Sequence, residues 1–156
     1  MSASKASLTY ILLPALLIFV GCTENANEGQ SEDCTVESAG ENVFSGTPEC
    51  IAQFRNEQMS GYWLVDFETS LFFRNRQDLE NGSIDDAYSM AFLEATSGEV
   101  SALLDSPKER VFRVSFEGSK SEIPGIYGSV PDLRGGVVVK EKFSIEGEVG
   151  DVPTIN

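Results

Sequence analysis

The sequence predicts one small, mainly β domain with one or two helices, closed into a barrel. Three observations carry that expectation. Residues 61–74 place Trp63, Val65, Phe67, Thr69, Leu71 and Phe73 on alternate positions, the period of two that gives a strand one apolar face. Residues 110–117 repeat the pattern, with Phe112, Val114 and Phe116 opposite Val111, Arg113 and Ser115. Glycines at 118, 125, 128, 135, 136, 147 and 150 fit the bulges and tight corners of a small barrel.

The domain is assigned to residues 43–150, with 151–156 as a loose tail. It opens with Thr47 as a helix N-cap and Pro48 at the first helical position, and the helix is expected to run to about Gln58. Taken as one strand, residues 61–74 would extend roughly 45 Å at ~3.3 Å per residue, wider than such a domain. The strand must therefore curl or break at Glu68, Thr69 and Ser70. Its aromatic stripe belongs to the core. Asn81 and Gly82 mark a turn.

Residues 83–96 are expected to be helical. Ser83 with Asp86 three later resembles a capping box, and Ile84, Ala87, Tyr88, Ala91, Phe92 and Ala95 recur at helical spacing before Gly98. A strand through Tyr88, Met90 and Phe92 accounts for fewer residues. Residues 99–105 set no clear pattern, and Ser106, Pro107 and Lys108 form a turn. A short strand at Ile126 and Tyr127 lies between two proline turns. Residues 137–149 hold one or two final strands, carrying Val137 and Val139, then Phe143 and Ile145.

The N-terminus has a different character. Lys5 and the α-amine precede an apolar run from Tyr10 to Val20, followed by Gly21 and Cys22. A charged start, an apolar stretch of about 7–15 residues and a small residue before the cut describe a secretory signal peptide. Val20, Gly21 and Cys22 resemble the cleavage box of bacterial lipoproteins, with Phe19 where leucine is usual. The resemblance implies cleavage after residue 21, acylation of Cys22 (palmitate among the chains) and, with Thr23 in the second mature position, sorting to the outer membrane. The run is short for a span of ~20 apolar residues, and Pro14 interrupts it. The chain is expected to be anchored to the membrane by its acyl chains rather than to cross it, each buried CH₂ contributing ~0.8 kcal/mol.

Removing residues 1–21 takes away one charged side chain, Lys5. Ten basic and 25 acidic side chains then remain over 135 residues, a net charge of −15. That charge repels phosphate backbones, so no nucleic-acid partner is expected, and it opposes docking on anionic lipid headgroups. Residues 22–42 carry six acidic side chains and no Lys or Arg, and they read as a disordered acidic tether. With Cys22 acylated, Cys34 and Cys50 form an even pair in an oxidising compartment, where a disulfide is the default. Closing that loop would stabilise the fold by about 3 kcal/mol in the chain-entropy view.

Catalytic signatures are missing. The chain has no histidine, which removes the usual general base and the Ser–His and Cys–His arrangements. No catalytic residue, cofactor or metal is assigned. Asp78, Glu80, Asp85 and Asp86 suggest calcium, but the position an EF-hand reserves for glycine is Ser83. Asp66 and Glu68 would lie ~7 Å apart on one strand, a spacing that paired-carboxylate hydrolysis uses and that a solvated outer face shows routinely.

The order of a long strand, further strands and a helix, then more strands, resembles an OB-like barrel. Local wording is also similar to the C-terminal domain of NlpE-type envelope lipoproteins. It is carried by residues 87–91, by Phe112 to Gly118 and by Val137 to Phe143; the cysteine motifs of that family are absent. The resemblance implies a ligand face on the second and third barrel strands, and Tyr62, Phe72 and Tyr127 are the candidate binding surface. The expected function is a non-enzymatic envelope lipoprotein, facing the periplasm from the outer membrane, that binds a protein or glycan partner. Alternatives are an envelope-stress sensor, a carboxylate-based hydrolase and a short lipocalin-like carrier, the last because Gly61 and Trp63 resemble the lipocalin Gly-x-Trp.

Overall fold

The computed structural model describes residues 34–94, 97–128 and 133–150. Cys22, the signal segment 1–21, residues 22–33 of the expected tether and the tail 151–156 lie outside the described residues.

The expected barrel forms. The elements are β1 (Thr35–Ser38), β2 (Glu41–Ser45), α1 (Pro48–Ile51), β3 (Asn56–Val65), β4 (Ser70–Phe73), α2 (Arg76–Asn81), β5 (Tyr88–Phe92), α3 (Gly98–Leu104), β6 (Arg110–Ser121), β7 (Gly125–Ile126) and β8 (Gly135–Val149). Five strands close on themselves in the order β3-β4-β5-β8-β6, and β1, β2 and β7 make a separate three-stranded sheet. Counted along the chain, the barrel strands run first, second, third, fifth, fourth. The third and fifth (β5 and β8) pair in parallel, and the other neighbours are antiparallel. This is an OB-like barrel.

Alternation within each strand sorts side chains between two sides of the sheet. Trp63, Val65, Phe72, Tyr88, Met90, Phe112, Val114, Phe116, Val137 and Val139 share one buried cluster, which fills the barrel. Val100 and Leu103 of α3 join it, so this helix closes the end where β5 stops. An eight-stranded lipocalin cup is not what forms. On the outer side, Phe44, Cys50, Ile51, Tyr127 and Val138 make a second small core beneath the three-stranded sheet. Leu64, Leu71, Phe73, Leu79, Ala87 and Val111 make a third under α2.

Four expectations need correction. The stretch 61–74 breaks over residues 66–69, close to the expected place, but it folds back as a hairpin, so its apolar stripe does not stay on one face. Its turn pairs Trp63 with Phe72 and Val65 with Ser70, so even-numbered residues of β4 share a face with odd-numbered ones of β3. Phe72 therefore enters the barrel, Leu71 and Phe73 go to the outer side, and Phe67 is left 68% exposed at the turn. The helix expected over 83–96 is a single 3-10 turn, Ile84–Asp86, followed by β5. Hydrogen bonding to strands on both sides outweighs the helical spacing there. Helices form instead at α2, capped by the Asn75 side chain with Gly82 left-handed at its end, and at α3, capped by Ser97.

The tether expected to reach residue 42 gives way earlier, since β1 and β2 already form an antiparallel hairpin from Thr35. Buried Cys34 and the pairing of β2 with β7 hold that hairpin to the domain. Finally, α1 stops at Ile51 rather than near Gln58, because β3 takes Asn56 onward into its ladder with β6.

Candidate binding face

A cleft of about 460 Å³ lies against β4 and β5, the second and third barrel strands. Its floor is set by Leu71, Ser89 and Ala91, all on the outer side of the sheet. One wall is the link from Ser45 to Pro48, and the other runs through Ile126 and Gly128. Glu68, on the β3–β4 turn, is its one charged lining residue among the described residues.

Each part is held by local chemistry. The Asp66 carboxylate accepts from the backbone N–H groups of Glu68 and Thr69 at 2.8 and 2.7 Å, which fixes the turn and so places Glu68. The two walls are stitched together where Gly46 N–H donates to Ile126 O at 2.8 Å. Tyr127 lies between them as a wedge. A Cβ on Gly46 would come within 2.2 Å of its ring and one on Gly136 within 2.7 Å, so both glycines are needed for the ring to enter. The Tyr127 hydroxyl donates to Ile123 O and lies 3.0 Å from Ser121 Oγ.

The expected disulfide is present. Cys34 and Cys50 are bonded, with their Cα atoms 5.6 Å apart. The bond ties the start of β1 to α1, and thereby to the Thr47 and Pro48 wall. The cleft is thus built on anchored segments, which lowers the ordering cost of binding.

The candidate surface residues named from sequence do not come together. Phe72 is 1% exposed and stacks edge-on against Phe116 inside the barrel. Tyr127 is 2% exposed, so it shapes the cleft but offers no open aromatic face. Tyr62 is half-buried against the outer cluster under α2 and does not line the cleft. Sequence reasoning missed Ser89, Ala91 and Ile126 as lining residues, and it noted Glu68 only as a possible partner of Asp66. The one signal for Ser89 and Ala91 was the alternation Tyr88, Met90, Phe92, which sends small residues to the other face.

Asp66 and Glu68 do not lie side by side on one strand: both fall in the β3–β4 turn, where the Asp66 carboxylate accepts from the Glu68 and Thr69 N–H groups. Asp78 is likewise engaged, bonding Asn75 through both backbone and side chain. Among the described residues no group of three or more His, Cys, Asp or Glu is placed to hold a metal ion. No protein-family model, curated protein or solved structure matches this chain.

Two buried tyrosines give the domain an alkaline limit. Burial, reinforced by a hydrogen bond to Glu122, pushes the Tyr88 hydroxyl up to about 12. Burial also raises Tyr127, with the Ser121 hydrogen bond acting against it. An acid raised above its unfolded value of ~10 contributes stability that is complete below that pH and lost as pH climbs through the folded value. Stability should therefore fall from pH ~10 toward 12, and Tyr88→Phe should flatten the fall. Denaturant titrations at stepped pH check this; an unchanged slope in the variant would contradict it.

Proposed function

We propose that this chain is a lipid-anchored envelope protein whose barrel is a non-enzymatic recognition module for a partner protein. The observation that carries the reading is the cleft on the outer face of β4 and β5. OB-like barrels take ligands on the second and third strands and the adjoining loops. Here those loops are the turn carrying Glu68 and the segment carrying Ile126.

The chemistry favours a polypeptide. The cleft is floored by Leu71 and small residues and edged by an exposed Ile126, so it suits one or two apolar side chains of a partner. Glu68 and the chain's net charge of −14 favour a Lys or Arg beside them. A glycan would call for an open aromatic platform, and the Tyr127 ring is buried.

The anchor rests on the cleavage box ending at Cys22 and the acidic run after it, and Thr23 in the second mature position supports sorting to the outer membrane. Two experiments test the two halves. Cys22→Ser should move the protein from the membrane to the soluble fraction, and the wild-type mature N-terminus should carry acyl mass; a wild-type chain that is soluble and unacylated would refute the anchor. Ile126→Asp leaves the core untouched and places a charge in the cleft wall. Burying an isoleucine is worth ~1.5–3 kcal/mol, so partner recovery after in-cell crosslinking should fall about 10- to 100-fold. Undiminished recovery would refute the cleft.

A further inference from the structure

A second site lies at the end of the barrel away from α3. Three of the chain's 11 basic side chains converge there on one carboxylate, although acidic side chains outnumber basic ones 25 to 11. Glu122 Oε1 stands 3.2 Å from Lys120 Nζ, 3.7 Å from Arg134 Nε and 3.8 Å from Arg74 Nη1. The hydroxyl of Tyr88, whose ring is fully buried, donates to the same oxygen. Lys120 and Arg134 also flank the Tyr88 ring, at 6.0 and 5.7 Å from its centre.

Neither guanidinium group makes a close fork with Glu122. A charge-assisted N–H···O bond spans about 2.7–2.9 Å, and Arg with carboxylate favours a two-pronged fork. Arg110 makes such a fork with Glu148, at 2.9 and 2.7 Å. Arg74 and Arg134 do not reach that distance from Glu122. Counting Glu57 on the adjoining rim, three cations face two carboxylates, so the balance at this end stays positive in an otherwise acidic chain. Lys120 is only 19% exposed, so its charge is little screened by solvent.

Beside this cluster is a hollow of about 260 Å³. Arg74 and Lys120 line it, Met59 and Phe72 give it an apolar floor, and Gln58 and Glu57 contribute to its rim. The cations favour an anion, and the narrow apolar base favours one carried on a short hydrocarbon group.

We propose that this barrel end binds a carboxylate carried on a short apolar group, with Arg74 and Lys120 holding the carboxylate and the apolar part lying over Met59 and Phe72. Arg134 and Tyr88 keep Glu122 in place while Lys120 bridges the two carboxylates. Glu122 suits that role, because the Tyr88 hydroxyl first, and Lys120 and Arg134 after it, hold its carboxyl below the usual range against the opposing effect of burial. Two sources share this chemistry, a small free acid and the C-terminal carboxylate of a peptide. The site is separate from the β4–β5 cleft and does not depend on it.

The test is a titration of the full mature chain followed by backbone amide NMR shifts. The probes are butanoate with butanamide as its neutral counterpart, and acetyl-Ala-Leu as free acid and as amide. Both acids should shift the amides of Arg74, Tyr88 and Lys120, and neither amide should. Tighter binding of the peptide acid would identify a C-terminus as the source, and equal affinity a free acid. Arg74→Gln should weaken the acids at least about tenfold, while Arg113→Gln, on an exposed position paired with Glu146, should not. Equal shifts from acids and amides, no shift from either acid, or full retention in Arg74→Gln would overturn the proposal.

Discussion

Trp63→Ala should destabilise the domain by about 3–5 kcal/mol, the range for truncating a large buried aromatic side chain. Trp63 is fully buried and meets Phe92, Phe112 and Phe143 at ring separations of 5.8, 6.0 and 5.6 Å. Its Nε1 donates to Ser70 Oγ at 3.1 Å, and that hydroxyl in turn donates to Met90 O at 2.8 Å. The alanine variant thus opens a cavity among three aromatic rings and removes one donor from a chain that links three strands. Against a total stability of roughly 5–15 kcal/mol, such a loss leaves the domain marginal. Phe67→Ala, on the exposed turn, should stay within about 0.5 kcal/mol of wild type. Denaturant midpoints of the two variants separate a hairpin, in which one aromatic is core and the other is not, from a single strand that would bury both.

Removing the disulfide should cost about 3 kcal/mol, but locally. The 16-residue separation joins β1 to α1, while the barrel's interior cluster contains no residue from either. In the double variant Cys34→Ser, Cys50→Ser, the β1–β2 hairpin and its pairing with β7 should lose hydrogen-exchange protection, with β3, β6 and β8 keeping theirs. The Thr47 and Pro48 wall would lose its anchor, so binding at the cleft should fall alongside the hairpin's protection. Uniform loss of protection across the barrel would show that the hairpin and barrel form one cooperative unit, contrary to the separate cores described above.

Legibility in the sequence follows how local each cause is. The alternation of Phe112, Val114 and Phe116 and of Val137 and Val139 reads directly as strands, because one face of each lies in the filled barrel. The pairing of Cys34 with Cys50 needs only their count and compartment. Phe72 falls on the wrong side in a sequence reading because the four-residue link between β3 and β4 shifts the phase by one, and nothing within either strand reveals it. Residues 88–92 satisfy helical and strand spacing alike; their partners, β4 and Gly135–Val139, come from other parts of the chain. The stretch 35–42 looks like tether because it is acidic and poor in apolar residues. A covalent bond and a two-residue pairing with β7 order it instead.

The binding face is the least legible part. Its floor is made of small residues and its walls of two loops far apart in sequence, so no motif marks it. Tyr127 attracts attention as an aromatic surface, yet it is buried, its ring packed against Gly46 and Gly136 behind the walls.

Hydrogen exchange of the full-length protein in isolated cell membranes, compared with the same protein purified in detergent, tests the proposed recognition face most directly. Added protection is expected in the membranes over residues 45–48, 89–91 and 126–128, removed by Ile126→Asp. Identical exchange in the two settings, or added protection confined to other faces of the barrel, would contradict a partner seated on β4 and β5.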